Sequence, residues 1–273
     1  MVNALRRILL SEVPSMATEK IHLYQNTSIM QDEVLAHRLG LVPLKADPRK
    51  FAWKAADATD KGTPQDTLQF NLHVKCSKKP NSMETDAPED KYNNHHVYTK
   101  QMKWIPQGDQ AKRLTEPGPV VGDILINKLR PGHEMEIEMF AVEGVGRDHA
   151  KFSPVATAFY RLMPAITLNR NVSGEQARRL QKCFSPGVIE LEPTDNNDCR
   201  AVVRNPRLDT CSRNVLRYDD LKNSVTLEKI KDHFIFSVES VGALNPQDLV
   251  LMACDVMLQK CDHFLTELDT LSK

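Results

Sequence analysis

Apolar residues recur along this chain at two different periods, and stretches of one alternate with stretches of the other. Leu5, Ile8 and Leu9 fall at helical spacing with Ala4 beside them, while Arg6 and Arg7 sit off that narrow face. Pro14 cannot continue a helical hydrogen-bond ladder and biases Val13 away from helical geometry, so the predicted helix stops there. A helix below about 12–15 residues is marginal in water, so packing must hold it. Ile21 and Leu23 then alternate with His22 and Tyr24, which predicts a short half-buried strand. A second helix is expected from Asp32 as its cap, through Val34, Leu35 and Leu39, to a left-handed Gly40 closing the last turn.

After Leu44 the pattern turns polar, and then Leu68, Phe70, Leu72, Val74 and Cys76 alternate with polar residues at the period of a strand with one buried face. Residues 77–94 are charged without an apolar period and read as a surface loop. His96 and Tyr98 mark another strand, and the cluster of Ile124, Leu125, Ile126 and Leu129 leaves its element type open. Met135, Ile137 and Met139 alternate with Glu134, Glu136 and Glu138, the pattern of a sheet with one anionic, solvated side. Further expectations are a strand region over 155–168 interrupted at Pro164, and a helix from Gly174 to Cys183 capped by Ser173. Beyond these come a strand from Val188 to Leu191, a turn at Asn196, Asn197 and Asp198, a strand from Arg200 to Val203 and a short helix from Leu208 to Arg217.

From Val225 the strand pattern returns, with Phe234, Phe236 and Val238 alternating against Ile235 and Ser237. Asn245 and Pro246 open the longest helix, predicted to run to Leu271. On it Val250, Cys254, Met257, Cys261, Phe264, Leu268 and Leu271 step by fours and threes as a coiled-coil-like seam. The whole predicts an α+β chain in which a mostly antiparallel β insert, residues 45–224, interrupts a discontinuous domain formed by residues 1–44 and 225–273.

Composition narrows the function. The 273 residues carry 36 Lys plus Arg and 36 Asp plus Glu, so no global field pulls the chain onto a phosphate backbone, which weighs against the alternative of a stand-alone nucleic-acid-binding module. No apolar run approaches the ~20 residues of a membrane-spanning helix. Six cysteines lie scattered, and Cys183, Cys199 and Cys211 lack the paired short spacing and the fourth ligand of a structural zinc site, so no metal and no other cofactor are expected. The segment GVGRDHAKFS offers His149 as a base, Ser153 as a nucleophile and Lys151 as a phosphate clamp, but a lone GxG is weak and nothing orients His149. No catalytic residue is assigned.

Residues 3–44, NALRRILLSEVPSMATEKIHLYQNTSIMQDEVLAHRLGLVPL, closely resemble the alpha-type subunits of multisubunit RNA polymerases, the family of bacterial alpha and its archaeal counterpart. The nearest resemblance is to the larger alpha-like subunit shared by polymerases I and III. It extends through RDHAKFSPVATAFYRL, CFSPGVIE, RNPRLDT and DHFIFSVES. The resemblance implies an alpha-subunit-like dimerisation domain, helices on an antiparallel sheet, in an assembly platform that is not a catalyst. It implies a heterodimer with the small alpha-like subunit through Leu5, Ile8, Leu9, Val250, Met257, Phe264 and Leu268. It further implies a contact to the second-largest subunit through Arg7, Arg6 and Arg38, and an insert-domain contact to the largest or second-largest subunit through His149, Lys151 and Phe152. DNA would be met only through the complex, with no membrane involved, in the nucleus and nucleolus after assembly in the cytoplasm. The family carries a strand and an approach loop before NALRRILL, whereas this chain begins two residues ahead of it, so a shortened N-terminus is expected.

Overall fold

The computed structural model describes residues 1–55, 57–80, 83, 87–194 and 198–271. Apart from the first two residues, its chain divides into one unit of Asn3–Ala158 with Val238–Lys273 and another of Phe159–Ser237.

The first unit opens with α1 (Val2–Ser11), β1 (Pro14–Asn26), α2 (Asp32–Gly40) and β2 (Leu44–Lys45). It continues through β3 (Thr67–Lys75), β4 (Ser77–Lys78), α3 (Pro88–Lys91), β5 (Tyr92–Asn93), β6 (His96–Tyr98) and β7 (Lys103–Ile105). Then come α4 (Gln110–Arg113), β8 (Gly118–Pro119), β9 (Leu125–Lys128) and β10 (Glu134–Val145). Its frame is a four-stranded antiparallel sheet in the order β1-β10-β3-β7. The period-2 patterns explain it. Leu68, Phe70, Leu72 and Val74 of β3 and Met135, Ile137 and Met139 of β10 point into one core, which α2 joins through Leu35 and Leu39. The anionic side of β10 is paired across the sheet: Glu134 meets Lys75 and His73, each at 2.9 Å, and Glu138 accepts from the Tyr24 hydroxyl at 3.0 Å.

Three expectations change here. The short strand around Ile21 is the thirteen-residue β1, whose residues Ser15, Met16, Ala17 and Thr18 are all buried, and consecutive burial erases the alternation that marks a strand in sequence. Two register shifts, at Thr18/Lys20 and Leu23/Gln25, blur it further. Gly40 is a buried helical residue with no left-handed conformation; the cap is Leu41, in right-handed geometry, whose N–H donates to the His37 carbonyl at 3.2 Å. The charged run 77–94 contributes the small elements β4, α3 and β5 among its described residues.

The chain leaves this unit inside β11 (Val155–Leu168) and returns inside β14 (Val225–Ser240), and the two strands pair. Between them lie α5 (Gly174–Cys183), β12 (Ile189–Thr194) and β13 (Asp198–Val203), whose core gathers Leu180, Val188, Ile189, Ala201, Val215 and Leu221. Pro164 does not interrupt β11, because a two-stranded ladder leaves one edge of each strand without a partner to miss its N–H. The helix expected over 208–217 is two 3-10 turns, Pro206–Leu208 and Asn214–Arg217, because Cys211 and Arg213 adopt left-handed backbone (φ 59° and 57°) that no α-helix accepts. Asn196 and Asn197 of the expected turn lie outside the described residues. Last comes α6 (Pro246–Leu271), in the first unit and as long as the seam predicts.

The contact division does not follow the borders expected at 44/45 and 224/225. Residues on both sides of 44/45 share one sheet, β1 through β10 with β3, and the stretch on both sides of 224/225 belongs to one core.

Candidate partner interface

Helix α6 begins as part of its own unit and ends outside it. Leu249, Met252 and Ala253 are buried and Val256 and Met257 half-buried, a stripe at helical spacing. Lys260 closes that stripe, its Nζ 2.7–2.8 Å from both carboxylate oxygens of Glu12 just beyond α1. From Leu258 to Leu271 every residue is exposed. The large apolar side chains of this segment are therefore left uncovered.

Its exposed face is apolar. Leu251, Leu258, Phe264, Leu265 and Leu268 are each 60–66% exposed and Leu271 83%, with Cys254 and Cys261 exposed between them. At about 100° per residue these side chains fill one arc of roughly 160° beside the stripe that faces the chain's own core, while Asp255, Gln259, Asp262, Thr266 and Thr270 take the far side. The predicted seam lies within this arc, and of its members only Val250 and Met257 are half-buried. Leu251, Leu258 and Leu265 were not singled out by the four-three stepping. Their seven-residue spacing is the signal that marks them as a second row alongside the first.

The N-terminal ridge behaves otherwise. Ile8 and Leu9 are buried within the chain and Leu5 is half-buried, so α1 is sealed where an uncovered face was expected. The Arg147 amide donates to the Ser11 carbonyl at 2.8 Å, and a Cβ on Gly146 would press into the Leu10 carbonyl, so the end of α1 seats directly on backbone. Arg6 bonds Asn3 through Nε at 3.0 Å. Arg7 is exposed and makes no side-chain bond among the described residues. Arg38 reaches back into the fold, with Nε and Nη2 donating to the Ile126 and Leu125 carbonyls at 3.1 and 2.7 Å.

The HAKFS segment is likewise tied inward. Phe152 is buried with Ala17 and Val142, its ring so close to Gly144 that a Cβ there would sit 2.7 Å away. Burial gives Phe152 to the core and removes it from any contact surface. Lys151 Nζ donates to the Thr18 carbonyl at 2.8 Å and pairs with Glu19 at 2.5 Å. His149 remains exposed, accepting the Lys151 amide at Nδ1 and lying edge-on to His37 with ring centroids 6.4 Å apart. The Ser153 hydroxyl donates to the Val155 carbonyl, so His149, Lys151 and Ser153 each serve a separate local bond and converge on no common point.

Burial raises the thiols of Cys76 and Cys183 above the ordinary cysteine range, Arg179 opposing the shift at Cys183 and Asp220 adding to it. Cys199 donates to the Gly174 carbonyl and Cys211 is exposed. Among the described residues no three His, Cys, Asp or Glu side chains stand together as metal ligands would. No described helix is long and apolar enough to cross a membrane.

The profile of the RNA polymerase Rpb3/Rpb11 dimerisation domain matches residues 1–261. The chain belongs to that family. Within the dimerisation-domain family, a Mus musculus protein named DNA-directed RNA polymerases I and III subunit RPAC1 is 53% identical over 270 residues, covering 98% of this chain and 78% of that protein. The protein of the same name from Saccharomyces cerevisiae is 45% identical over 267 residues, 96% of this chain and 78% of its own length. A more distant member, DNA-directed RNA polymerase subunit Rpo3 of Methanosphaera stadtmanae, is 29% identical over 266 residues, 97% of this chain and 88% of its own.

Proposed function

We propose that this chain is a non-catalytic scaffold subunit shared by DNA-directed RNA polymerases I and III. The observation that carries the reading is the exposed apolar arc of α6, in a member of a dimerisation-domain family whose relatives bear that subunit's name. The unburied share of the six large side chains on that arc corresponds to about 6–12 kcal/mol, at about 1.5–3 kcal/mol for a fully buried one. Association costs an estimated 4–15 kcal/mol, so α6 suffices for a stable pair only with a partner that adds apolar surface of its own around it. A smaller alpha-like subunit with a matching helix meets that requirement.

In this reading the distal part of α6 supplies the pairing surface and the stretch between the two chain ends the insert. The exposed Arg7, with Arg6 beside it, faces the second-largest subunit, where a guanidinium fork suits carboxylates and carbonyls. His149 is the part of its segment left for contact with a large subunit. The chain works in the nucleus and nucleolus after assembly in the cytoplasm, and meets DNA through the complex during synthesis of ribosomal, 5S and transfer RNA. Co-expression with the small alpha-like subunit tests the proposal. The expected product is a soluble one-to-one complex in which amides of residues 258–271 are protected from hydrogen exchange; a monodisperse chain that ignores that subunit refutes it.

A further inference from the structure

Thr18 of β1 is 1% exposed, and its hydroxyl is buried without a hydrogen-bond partner. Among the described residues it shares that state only with the Trp104 indole nitrogen. A buried hydroxyl left unpaired costs free energy, and folded chains leave few of them. Thr18 also lines a cavity of about 290 Å³ that lies wholly within the first unit. To its walls β1 supplies Thr18, Glu19 and Lys20, the last turn of α2 supplies His37, and the turn after β10 supplies His149 and Lys151. Ser153 stands outside these walls.

The backbone fixes what His149 offers. Its Nδ1 accepts the Lys151 amide at 3.1 Å, so the neutral ring carries its proton on Nε2, a donor without a partner among the described residues. The His37 ring, edge-on to His149 with centroids 6.4 Å apart, makes no hydrogen bond among them either. Fixed charge points the same way: two ammonium groups, Lys20 and Lys151, share the wall with one carboxylate, Glu19. Lys151 is held by Glu19 at 2.5 Å and by the Thr18 carbonyl at 2.8 Å, while Lys20 comes only within 3.8 Å of Asp60. Free carbonyls at the end of α2 would oppose an anion, but those of His37 and Leu39 are taken by the Leu41 and Val42 amides. The wall thus carries a surplus of one positive charge together with unpaired donors.

We propose that this cavity is a socket for an acidic side chain, the carboxylate of an aspartate or glutamate on a docking protein, which accepts from the Thr18 hydroxyl, His149 Nε2 and the His37 ring. Two carboxylate oxygens provide enough acceptor sites for all three donors. A monoanion matches a surplus of one charge, whereas a phosphate dianion would lie beside Glu19 with its second charge unbalanced. The volume lies at the small end of ligand pockets and suits a single side chain. The socket gives chemical content to the contact of His149 with a large polymerase subunit, and it rests on that reading for the partner's identity alone.

The test titrates the full chain with N-acetyl-aspartate methylamide, N-acetyl-glutamate methylamide, the uncharged isostere N-acetyl-glutamine methylamide and inorganic phosphate, followed by the ring shifts of His37 and His149 and the amide shift of Thr18. Saturable binding of at least one acidic probe, at least about tenfold tighter than the glutamine probe, is expected. Thr18→Val keeps the shape and removes the hydroxyl, so it should weaken the acidic probe about three- to tenfold while the melting temperature holds or rises, there being no internal bond to lose. His149→Asn, whose side-chain oxygen can still accept the Lys151 amide, should weaken it by a similar factor. Equal binding of acidic and amide probes, no saturable binding of either acidic probe, tighter binding of phosphate, undiminished acidic-probe affinity in either folded variant, or a lower melting temperature for Thr18→Val overturns the proposal. Probe binding is measured on the chain alone, so its failure refutes the socket and leaves the co-expression result, which bears on the polymerase reading, as it stands.

Discussion

Replacing both Phe264 and Leu268 by alanine separates a face made for another chain from a face that supports its own. Both side chains are mostly exposed, 66% and 60%, so little of either is buried in the isolated chain and truncation should alter its unfolding free energy by no more than about 0.5 kcal/mol. In a complex that covers them, the same truncation forfeits the unburied share of two large apolar side chains. At about 1.5–3 kcal/mol for full burial this amounts to about 2–4 kcal/mol for the pair, or a dissociation constant weakened about 30- to 1,000-fold. Calorimetric titration of the double variant against the small alpha-like subunit measures the second quantity, and thermal melting of the free chain the first. A variant that melts several degrees lower yet binds as tightly as before would refute the reasoning, since the distal part of α6 would then be packing on its own fold.

The interior makes sharper demands. Gly144→Ala must push the Phe152 ring, and Gly146→Ala the end of α1, so each should cost about 1–3 kcal/mol in denaturant unfolding. Lys151→Met leaves the Thr18 carbonyl and Glu19 without their ammonium partner and should lower stability by about 1–3 kcal/mol, whereas Arg7→Ala should leave the melting temperature unchanged. Half-burial of Glu143 pushes its carboxyl from 4.5 to about 7. The folded chain therefore keeps a proton that the unfolded chain releases, and stability falls as pH rises from 4.5 to about 7. Allowing for solvent screening, Glu143→Gln should gain about 1–2 kcal/mol at pH 8 and almost nothing at pH 4, read from melting curves at the two values.

How much of this was legible beforehand depends on how far each feature is local. The period-2 runs of β3 and β10 and the length of α6 are written in side-chain spacing alone, because one face of each element must leave water and the backbone period decides which residues share that face. Family membership was equally legible in residues 3–44. Spacing also marks an apolar face without saying what covers it. Leu5, Ile8 and Leu9 looked like α6 in this respect, yet the close approach of Gly146 draws α1 onto its own backbone, while α6 runs on past Lys260. Arg38, Lys151 and Phe152 carry the chemistry of surface contacts in sequence and spend it on carbonyls and core residues dozens of positions away. Likewise, β1 lost its alternation to burial on both faces. Sequence thus determined which residues must leave water and at what period; tertiary structure alone decided which of them the chain covers itself, because that depends on what distant segments bring to the same place.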